Sequence, residues 1–391
     1  MRTNMVLRGV GVAVGLVLIA GAFVLTFFVT PTYVARVPSD TDVTRSYTGS
    51  FKTLLDAQEV AKGNLLSAVK RDVPMAVERT VKVLDTSDDT ALVSDSRTTT
   101  AAGRAVEKTT WQYAVDRKTL EPATDHPASW TVVDAKGLTV SWPIGAKKQT
   151  YTGWRPETGT TTPLTYSRTE SRSGVSTYVY LARLPATRIT DTQVLAGLPP
   201  AVPKSTLALV AQVGTLSAEA KQRLAVLLPT LPDPVPLSYT LQSADTFWIE
   251  PETGIVVDTQ RSQQRTAGVV APSDGAFLPL LPVSDVSYRQ TPDSVKAAAD
   301  DAKDGRNAIS LVGTILPIVL GVVGAVLVAV SLLVRRRGTR GGAAPAAPAA
   351  PTGPAAPGGP GAPGGPGAPT GPAPPAGPTG PNPPAGPAPD A

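Results

Sequence analysis

Two long apolar runs near the ends of the chain constrain its fold more than any other feature. Residues 10–29 and 309–334 contain no charged side chain. Each run is long enough to cross a hydrocarbon layer of about 30 Å as an α-helix. We therefore expect transmembrane helices at 9–30 and 309–334, with the intervening residues 31–308 folded as one domain on one side of the membrane.

The charges beside these runs predict their orientation. Arg2 and Arg8 precede the first run, and four arginines between 335 and 340 follow the second. Because positive charge is retained on the cytoplasmic side, we expect residues 1–8 and 335–391 in the cytoplasm and the domain outside the plasma membrane. A cleaved signal peptide is the alternative for the first run. That run, however, is longer than the apolar part of such a peptide, and no small-x-small cleavage site follows it.

Composition excludes several kinds of partner and site. The chain has 36 basic and 31 acidic residues, but the six arginines beside the runs and Asp390 lie at its ends. The remainder is electrically balanced, whereas a nucleic-acid surface needs a basic excess. The chain has no cysteine, which excludes disulfides and cysteine-ligated metal sites. We expect no nucleic-acid partner, no cofactor and no metal, and stability must come from the burial of apolar surface.

Alternation of polar and apolar residues predicts antiparallel β-strands through most of the domain, from 43 to 190 and again from 237 to 288. Trp111, Tyr113 and Val115, for example, are separated by single intervening residues. The expected fold class is mainly β (α+β): an antiparallel, curved sheet or half-barrel, flanked by the two transmembrane helices.

Three shorter segments complete the predicted domain. Trp130–Trp142 predicts a hairpin with its turn at 134–137. Helical spacing of leucine and valine predicts one or two short amphipathic helices within 198–236, where prolines bound the segment and Ser217 begins a helix. These helices would cap the sheet or act as a movable lid over an apolar cavity. A polar helix at 293–306 leads into the second transmembrane run.

One turn sequence occurs twice. Pro-Glu-Thr-Gly follows Trp154 and again follows Trp248. Proline presets φ at the second turn position, and glycine accepts the positive φ that closes the turn. Both copies therefore predict hairpins.

The carboxylates of these turns raise the question of an acid pair. Glu252 and Glu157 occupy equivalent positions and are expected to point to water. Glu250, which with Asp258 brackets the second copy, is replaced by Arg155 in the first. A catalytic acid and base need environments that separate their pKa values, which a solvated turn does not offer. We therefore predict turn carboxylates.

Other catalytic signatures are missing from the sequence. His126 is the single histidine and lies in a predicted loop, with no Gly-x-Ser-x-Gly motif to accompany it. The sequence has no phosphate-binding loop and no dinucleotide fingerprint. We predict no catalytic residue. A hydrolase would require Glu250, Asp258 and His126 to meet in one pocket.

Small residues in the two runs allow close helix packing. Gly11 and Gly15 form a GxxxG pair in the first run, and Gly321 and Ala325 have the same spacing in the second. They would let the two helices pair with each other or with a partner, although glycine and alanine are also ordinary components of bacterial membrane helices. After Arg340 the composition is dominated by proline, glycine and alanine, which predicts a disordered cytoplasmic tail.

Several of these motifs resemble a known family. The stretches Trp142–Tyr151, Trp154–Thr158, Ser176–Tyr180 and Trp248–Asp258 are similar to the two-span envelope proteins of actinobacteria that are commonly labelled the porin PorA family. The resemblance covers about residues 5–337. It implies an extracytoplasmic domain, connected in some relatives with cell-envelope glycolipids and polar growth, and it transfers no catalytic residue. Two helices enclose no channel, so a pore would need many copies. The tryptophan hairpins also look similar to those of periplasmic lipoprotein carriers.

The favoured function is a non-catalytic, membrane-anchored module that binds a lipid or glycolipid of the cell envelope. Aromatic faces and the leucine-rich helices would supply the contacts. The candidate contact residues are Trp111, Trp142, Trp154, Trp248, Leu207, Val210 and Leu224. The alternative is a scaffolding protein that acts through envelope-synthesis membrane proteins; a pore component or a hydrolase is less favoured.

Overall fold

A computed structural model describes residues 2–56, 59–60, 65–213 and 216–337 of the chain. The predicted cytoplasmic segment 335–391 lies outside these residues, apart from the arginines at 335–337 that end the last helix.

Long helices stand at both ends of the described chain. Helix α1 spans Arg2–Val24 and continues with π-helical hydrogen bonding over Leu25–Val34. At the other end, a single helical rod spans 292–337. Two stretches, Val10–Thr30 and Pro292–Leu333, are long and apolar enough to cross a membrane.

The domain between these helices is a curled, ten-stranded antiparallel sheet. Its strands lie in the order β4-β3-β2-β1-β12-β11-β10-β7-β6-β5. This confirms the predicted half-barrel. The strands of this sheet are β1 Asp42–Leu55, β2 Val69–Ser87, β3 Thr90–Ala101, β4 Arg104–Asp116, β5 Tyr151–Arg155, β6 Thr160–Arg172, β7 Val175–Arg188, β10 Ser238–Ile249, β11 Val256–Val270 and β12 Phe277–Gln290; β8 Ala201–Val202 and β9 Val235–Pro236 form a separate pair.

Strand pairing explains why both long helices leave the same end of the sheet. The first strand, β1, pairs with the last, β12, with Tyr47 opposite Gln290. Because the pair is antiparallel, the start of β1 and the end of β12 lie side by side. Helix α1 precedes β1, and the rod that follows β12 begins at Pro292, capped by the Thr291 side chain.

The alternating residues fill the inside of the curled sheet. Trp111, Tyr113 and Val115 are all buried, as their spacing predicts. They belong to one large apolar core that also contains Tyr180 and Ile249.

Short helices cover one end of the sheet. They are α2 Leu65–Ala68, α3 Thr192–Ala196, α4 Lys204–Val213 and α5 Ala218–Leu227. Ser217 caps α5 by accepting a hydrogen bond from Ala220 N at 3.1 Å, as its sequence predicts. Leu207 of α4 and Leu224 of α5 are buried in one apolar cluster with the sheet residue Val269. The rod after β12 comprises α6 Pro292–Ser310, a π-helical turn Leu311–Ile315 and α7 Leu316–Arg337.

The predicted hairpin at Trp130–Trp142 is wrong. No strand occurs between Asp116 and Tyr151, all of which the structure describes. This segment is a long loop whose backbone makes isolated hydrogen bonds, as where Leu138 N donates to Thr152 O at 2.8 Å and Ala146 N donates to Pro251 O at 2.7 Å. Its apolar residues are buried in the main core, because the loop packs on the sheet without extending it.

Candidate functional site

The two Pro-Glu-Thr-Gly copies both close hairpins, between β5 and β6 and between β10 and β11. Gly159 and Gly254 have φ values of +63° and +75°, the conformation that the turn requires. Glu252 is exposed as expected, but Glu157 is buried, which corrects the expectation that it points to water. The Glu157 carboxylate accepts a hydrogen bond from Arg97 Nη1 at 3.3 Å. Arg97 belongs to β3, which lies far from this turn in the strand order of the sheet.

Glu250, Asp258 and His126 are engaged in three separate sets of contacts. Glu250 is buried and accepts hydrogen bonds within its own turn, from Thr253 N at 2.8 Å and Thr253 Oγ1 at 2.7 Å. Asp258 is fully buried and pairs with Arg289 at 2.6 Å. The His126 ring stacks on Trp130 in the long loop.

A first apolar cavity, the helix-junction cavity, lies where the long helices join the sheet. Its volume is about 500 Å³. Val34 at the end of α1 and Ile309 of α6 contribute to its wall. Valines from the starts of β1 and β3 and from the end of β2 form much of the remainder: Val43, Val93, Val81 and Val83.

Two further cavities lie along the inside of the half-barrel. The lumen cavity, of about 540 Å³, is lined by Phe51 and Trp111 and by several charged residues. The helix-covered cavity, of about 490 Å³, lies beneath α4 and is lined by Leu207 and Val210. On strand β1, the first cavity is lined by residues up to Tyr47, and the other two by residues from Phe51 onward. The helix-junction cavity and the other two cavities therefore lie at different positions along the strand direction.

A network of buried charges lies between the helix-junction and lumen cavities. Arg79 forms two hydrogen bonds with Asp95, at 2.8 and 3.0 Å, and Arg97 Nη2 donates to the same carboxylate at 2.8 Å. Arg155 Nη1 lies 2.6 Å from Asp245 Oδ2, an ion pair without hydrogen-bond alignment. Arg79 and Arg97 thus enclose the Asp95 carboxylate inside the protein.

The pKa values of two carboxyl groups reflect this network. Burial alone would raise the pKa of Asp95, but the charges of Arg79 and Arg97 and their hydrogen bonds outweigh burial and hold it well below its ordinary value. Burial also opposes ionisation of Glu157, and the charges of Arg97 and Arg155 again lower its pKa. Both groups are therefore carboxylates at neutral pH.

Comparison with known proteins identifies the family. The sequence profile described as Porin PorA matches residues 9–333. The chain belongs to the porin PorA family. With its two long apolar helices, this PorA-family member is a membrane-associated envelope protein. No curated protein matches the chain. A solved MaoC-like dehydratase is 14% identical over 67% of this chain and 82% of its own, with a TM-score of 0.12, a value that supports no argument about fold or function.

The candidate ligand contacts of the PorA-family protein divide into three groups. Trp111, Leu207 and Val210 line the large cavities described above. Trp142 and Trp154 line a smaller cavity within the charge network. Trp248 and Leu224 line none of these four cavities. The guanidinium groups of Arg172 and Arg289 lie over the ring of Trp248, at 4.3 and 5.8 Å from its centroid, while Leu224 of α5 is buried in the core.

The arginines of the charge network were not among the residues singled out from the sequence. A signal for them exists: Arg79 falls on the same face of β2 as Val77, Val81 and Val83, where alternation predicts an inward side chain. A charged residue at a position where alternation predicts an inward, apolar side chain indicates either an irregular strand or a buried ion pair. Its partner Asp95 could not be found this way, because the pairing depends on strand register.

The glycines in the long helices differ in what they contact. A Cβ on Gly15 would lie 2.6 Å from Gly324 O, so α1 and α7 approach closely there, and Gly11 faces Ser331. Gly321 has open space where its Cβ would be, and Ala325 is exposed. The face of α7 that meets α1 is therefore the one with Gly324, not the one with Gly321 and Ala325.

Proposed function

We propose that this PorA-family protein is a two-pass plasma-membrane protein whose extracytoplasmic half-barrel binds a lipid or glycolipid of the cell envelope without catalysing a reaction. The observation that carries this proposal is the helix-junction cavity of about 500 Å³. It lies within the size range of sites that bind small molecules. Apolar side chains dominate the strand positions that line it, which suits an acyl chain.

The position of the cavity supports a membrane ligand. Its wall includes Val34 and Ile309, which belong to the helices proposed to enter the bilayer. A lipid tail would therefore pass from the bilayer to the cavity at the foot of the domain. The cavities further along β1 begin at Phe51. Twelve residues separate Val43 from Leu55, which corresponds to roughly 40 Å along an extended strand, so the half-barrel extends well beyond the helix-junction cavity.

The same geometry supports the proposed topology. Both long helices leave one end of the sheet, and α1 and α7 pack against each other at Gly15 and Gly324. The arginines near both ends favour cytoplasmic termini. A reporter fused behind Ala391 should be active only in the cytoplasm, and protease added outside cells whose outer envelope has been permeabilised should cut the domain. Protection of the domain would overturn the topology.

Lipid binding is tested by identifying what copurifies with the full chain. The protein is extracted in mild detergent, washed, and its retained lipids are measured by mass spectrometry. We expect stoichiometric envelope lipid with the natural sequence and a severalfold loss with Val81→Trp, which fills the helix-junction cavity. Leu84→Trp is the matched control, because Leu84 lies on the same strand and is 46% exposed. Equal retention by the two variants, or no retained lipid in the natural protein, would refute lipid binding at this cavity; the latter result leaves scaffolding as the alternative.

A further inference from the structure

A small polar cavity separates the helix-junction cavity from the lumen cavity. We call it the arginine cavity; its volume is about 50 Å³. It shares Arg79 and Val256 with the helix-junction cavity, and Arg97 and Glu157 with the lumen cavity. A ligand with its tail in the helix-junction cavity would therefore place its other end against the arginine cavity.

Positive charge dominates the wall of this cavity. Four arginines line it: Arg79, Arg97, Arg155 and Arg261. Glu157 is the carboxylate among its lining residues, whereas Asp95 and Asp245 pair with the arginines without lining the cavity. Asp245 also lies opposite Arg261 in the β10–β11 register. Three carboxylates thus oppose four guanidinium groups, and a buried excess charge of this kind favours a bound anion.

Unpaired hydrogen-bond donors are concentrated on the residues that line this cavity. Five buried polar atoms on its lining residues have no hydrogen-bond partner within the described chain: Arg97 Nε, Thr139 Oγ1, Trp142 Nε1, Trp154 Nε1 and Arg155 Nη2. Trp142 and Arg155 are each 5% exposed. Indole and guanidinium nitrogens can only donate, so four of these five atoms require an acceptor. Buried polar groups are rarely left unpaired, which makes the cluster a site built for acceptor atoms.

Charge and size together select the acceptor. A water molecule needs about 10–15 Å³ of such space, so the cavity has room for a few waters or for one tetrahedral oxyanion. Water would pair the donors but would leave the excess positive charge. A phosphate group supplies several acceptor oxygens and negative charge at once, and guanidinium groups match its geometry.

We infer that the arginine cavity binds the phosphate group of a lipid whose tail occupies the helix-junction cavity. This inference rests on the proposed function and specifies the ligand class as a phosphate-bearing lipid. The two parts of the ligand are recognised by adjoining surfaces: the arginines and indoles bind the phosphate, and the valines of β1, β2 and β3 contact the tail.

The test compares lipids that differ in the phosphate. The full chain in detergent is exchanged with phosphatidylglycerol or with diacylglycerol, and retained lipid is measured by mass spectrometry. We expect preferential retention of phosphatidylglycerol by about tenfold or more, since hydrogen bonds to charged groups carry this much discrimination. Arg261→Gln should abolish the preference. Arg265→Gln, on the same strand but paired with Glu107, is the matched control and should keep the preference.

A second variant keeps the test informative if the Arg261→Gln protein does not fold. Thr139→Val is nearly isosteric and removes a hydroxyl that has no partner in the described protein, so it should fold and reduce the preference severalfold. Equal retention of both lipids by the natural protein would overturn the phosphate site while lipid binding stands. Retention of neither lipid would refute the proposed function as well. Thermal stabilisation by inorganic phosphate, with no preference for phosphatidylglycerol, would show a free-phosphate site and overturn the assignment to a lipid.

Discussion

The two Pro-Glu-Thr-Gly turns have the same backbone design and opposite electrostatic environments. Glu252 of the β10–β11 turn is exposed, whereas Glu157 of the β5–β6 turn is buried against Arg97. Strands β5 and β3 lie near opposite edges of the sheet order, so the Arg97–Glu157 pair joins the two sides of the curled sheet. The difference shows that a turn motif determines the path of its own chain, while sheet curvature determines what its side chains meet.

Neighbouring contacts join the same two edges. Trp111 Nε1 on β4 donates to Asp191 Oδ2 at 2.9 Å, just after β7. The Gln193 side chain exchanges two hydrogen bonds with the backbone of Thr110, at 2.9 and 3.0 Å. Glu157 thus contributes to a seam that holds the half-barrel in its curled form, a role that Glu252 does not have.

The largest expected difference in stability between the two turns comes from neutralising their glutamates separately. Glu157→Gln removes a buried partner of Arg97 and should lower the free energy of unfolding by about 3 kcal/mol. Glu252→Gln should change it by less than about 0.5 kcal/mol, because the side chain is exposed. Thermal unfolding of the full chain in detergent measures both. Equal effects would show that the two environments do not differ energetically.

For the glycines that close the two turns, we expect the opposite order: substitution in the β10–β11 turn should destabilise the protein more than substitution in the β5–β6 turn. A Cβ on Gly254 would collide with the carbonyl oxygen of Trp142, whereas one on Gly159 would lie 3.3 Å from Thr190 Oγ1. Both alanine variants bear the cost of positive φ, about 1 kcal/mol. Gly254→Ala should therefore destabilise the protein by about 2–3 kcal/mol in total and Gly159→Ala by about 1 kcal/mol. The same unfolding assay ranks them, and the reverse ranking would contradict the packing of the long loop on the β10–β11 turn.

Glu250 marks the position where the two turns differ in sequence, with Arg155 as its counterpart. Glu250 stabilises its own turn through Thr253, so Glu250→Gln, which keeps one acceptor oxygen, should cost about 1 kcal/mol. The loss should be local. Hydrogen exchange is expected to rise in the β10–β11 turn and to stay unchanged in the β5–β6 turn, and a rise in both would mean that the turns are coupled.

The smallest expected effect is a difference in the pH dependence of stability between the Glu157 variant and the natural protein. The pKa of Glu157 is lowered in the folded protein, so its ion pair contributes stability that is present above its unfolded pKa of about 4.3 and is lost as pH falls through the folded value. Melting temperatures measured between pH 6 and pH 3 should decline less steeply for Glu157→Gln than for the natural protein. Glu252→Gln is the control and should follow the natural protein.

Much of the fold could be predicted, because local patterns carry it. The inward spacing of Trp111, Tyr113 and Val115 is a property of an extended strand in any sheet. The turn around Gly254 follows from the φ values that proline and glycine allow. The candidate ligand contacts stay a prediction: Leu207 and Val210 line the helix-covered cavity, whereas Trp248 lines none of the four cavities described above, since an aromatic residue in a strand can face either side of the sheet.

The sequence by itself determined the two apolar helices, the alternating strands, the hairpin turns and the proline-bounded helices, because each depends on interactions between residues close along the chain. Only the tertiary structure decided that 117–150 packs as a loop, that Glu157 is buried, that Gly324 meets Gly15, and that four arginines converge on one cavity. These outcomes depend on strand order and sheet curvature, which bring together residues far apart in the chain. Local periodicity in the sequence carries no information about such long-range contacts.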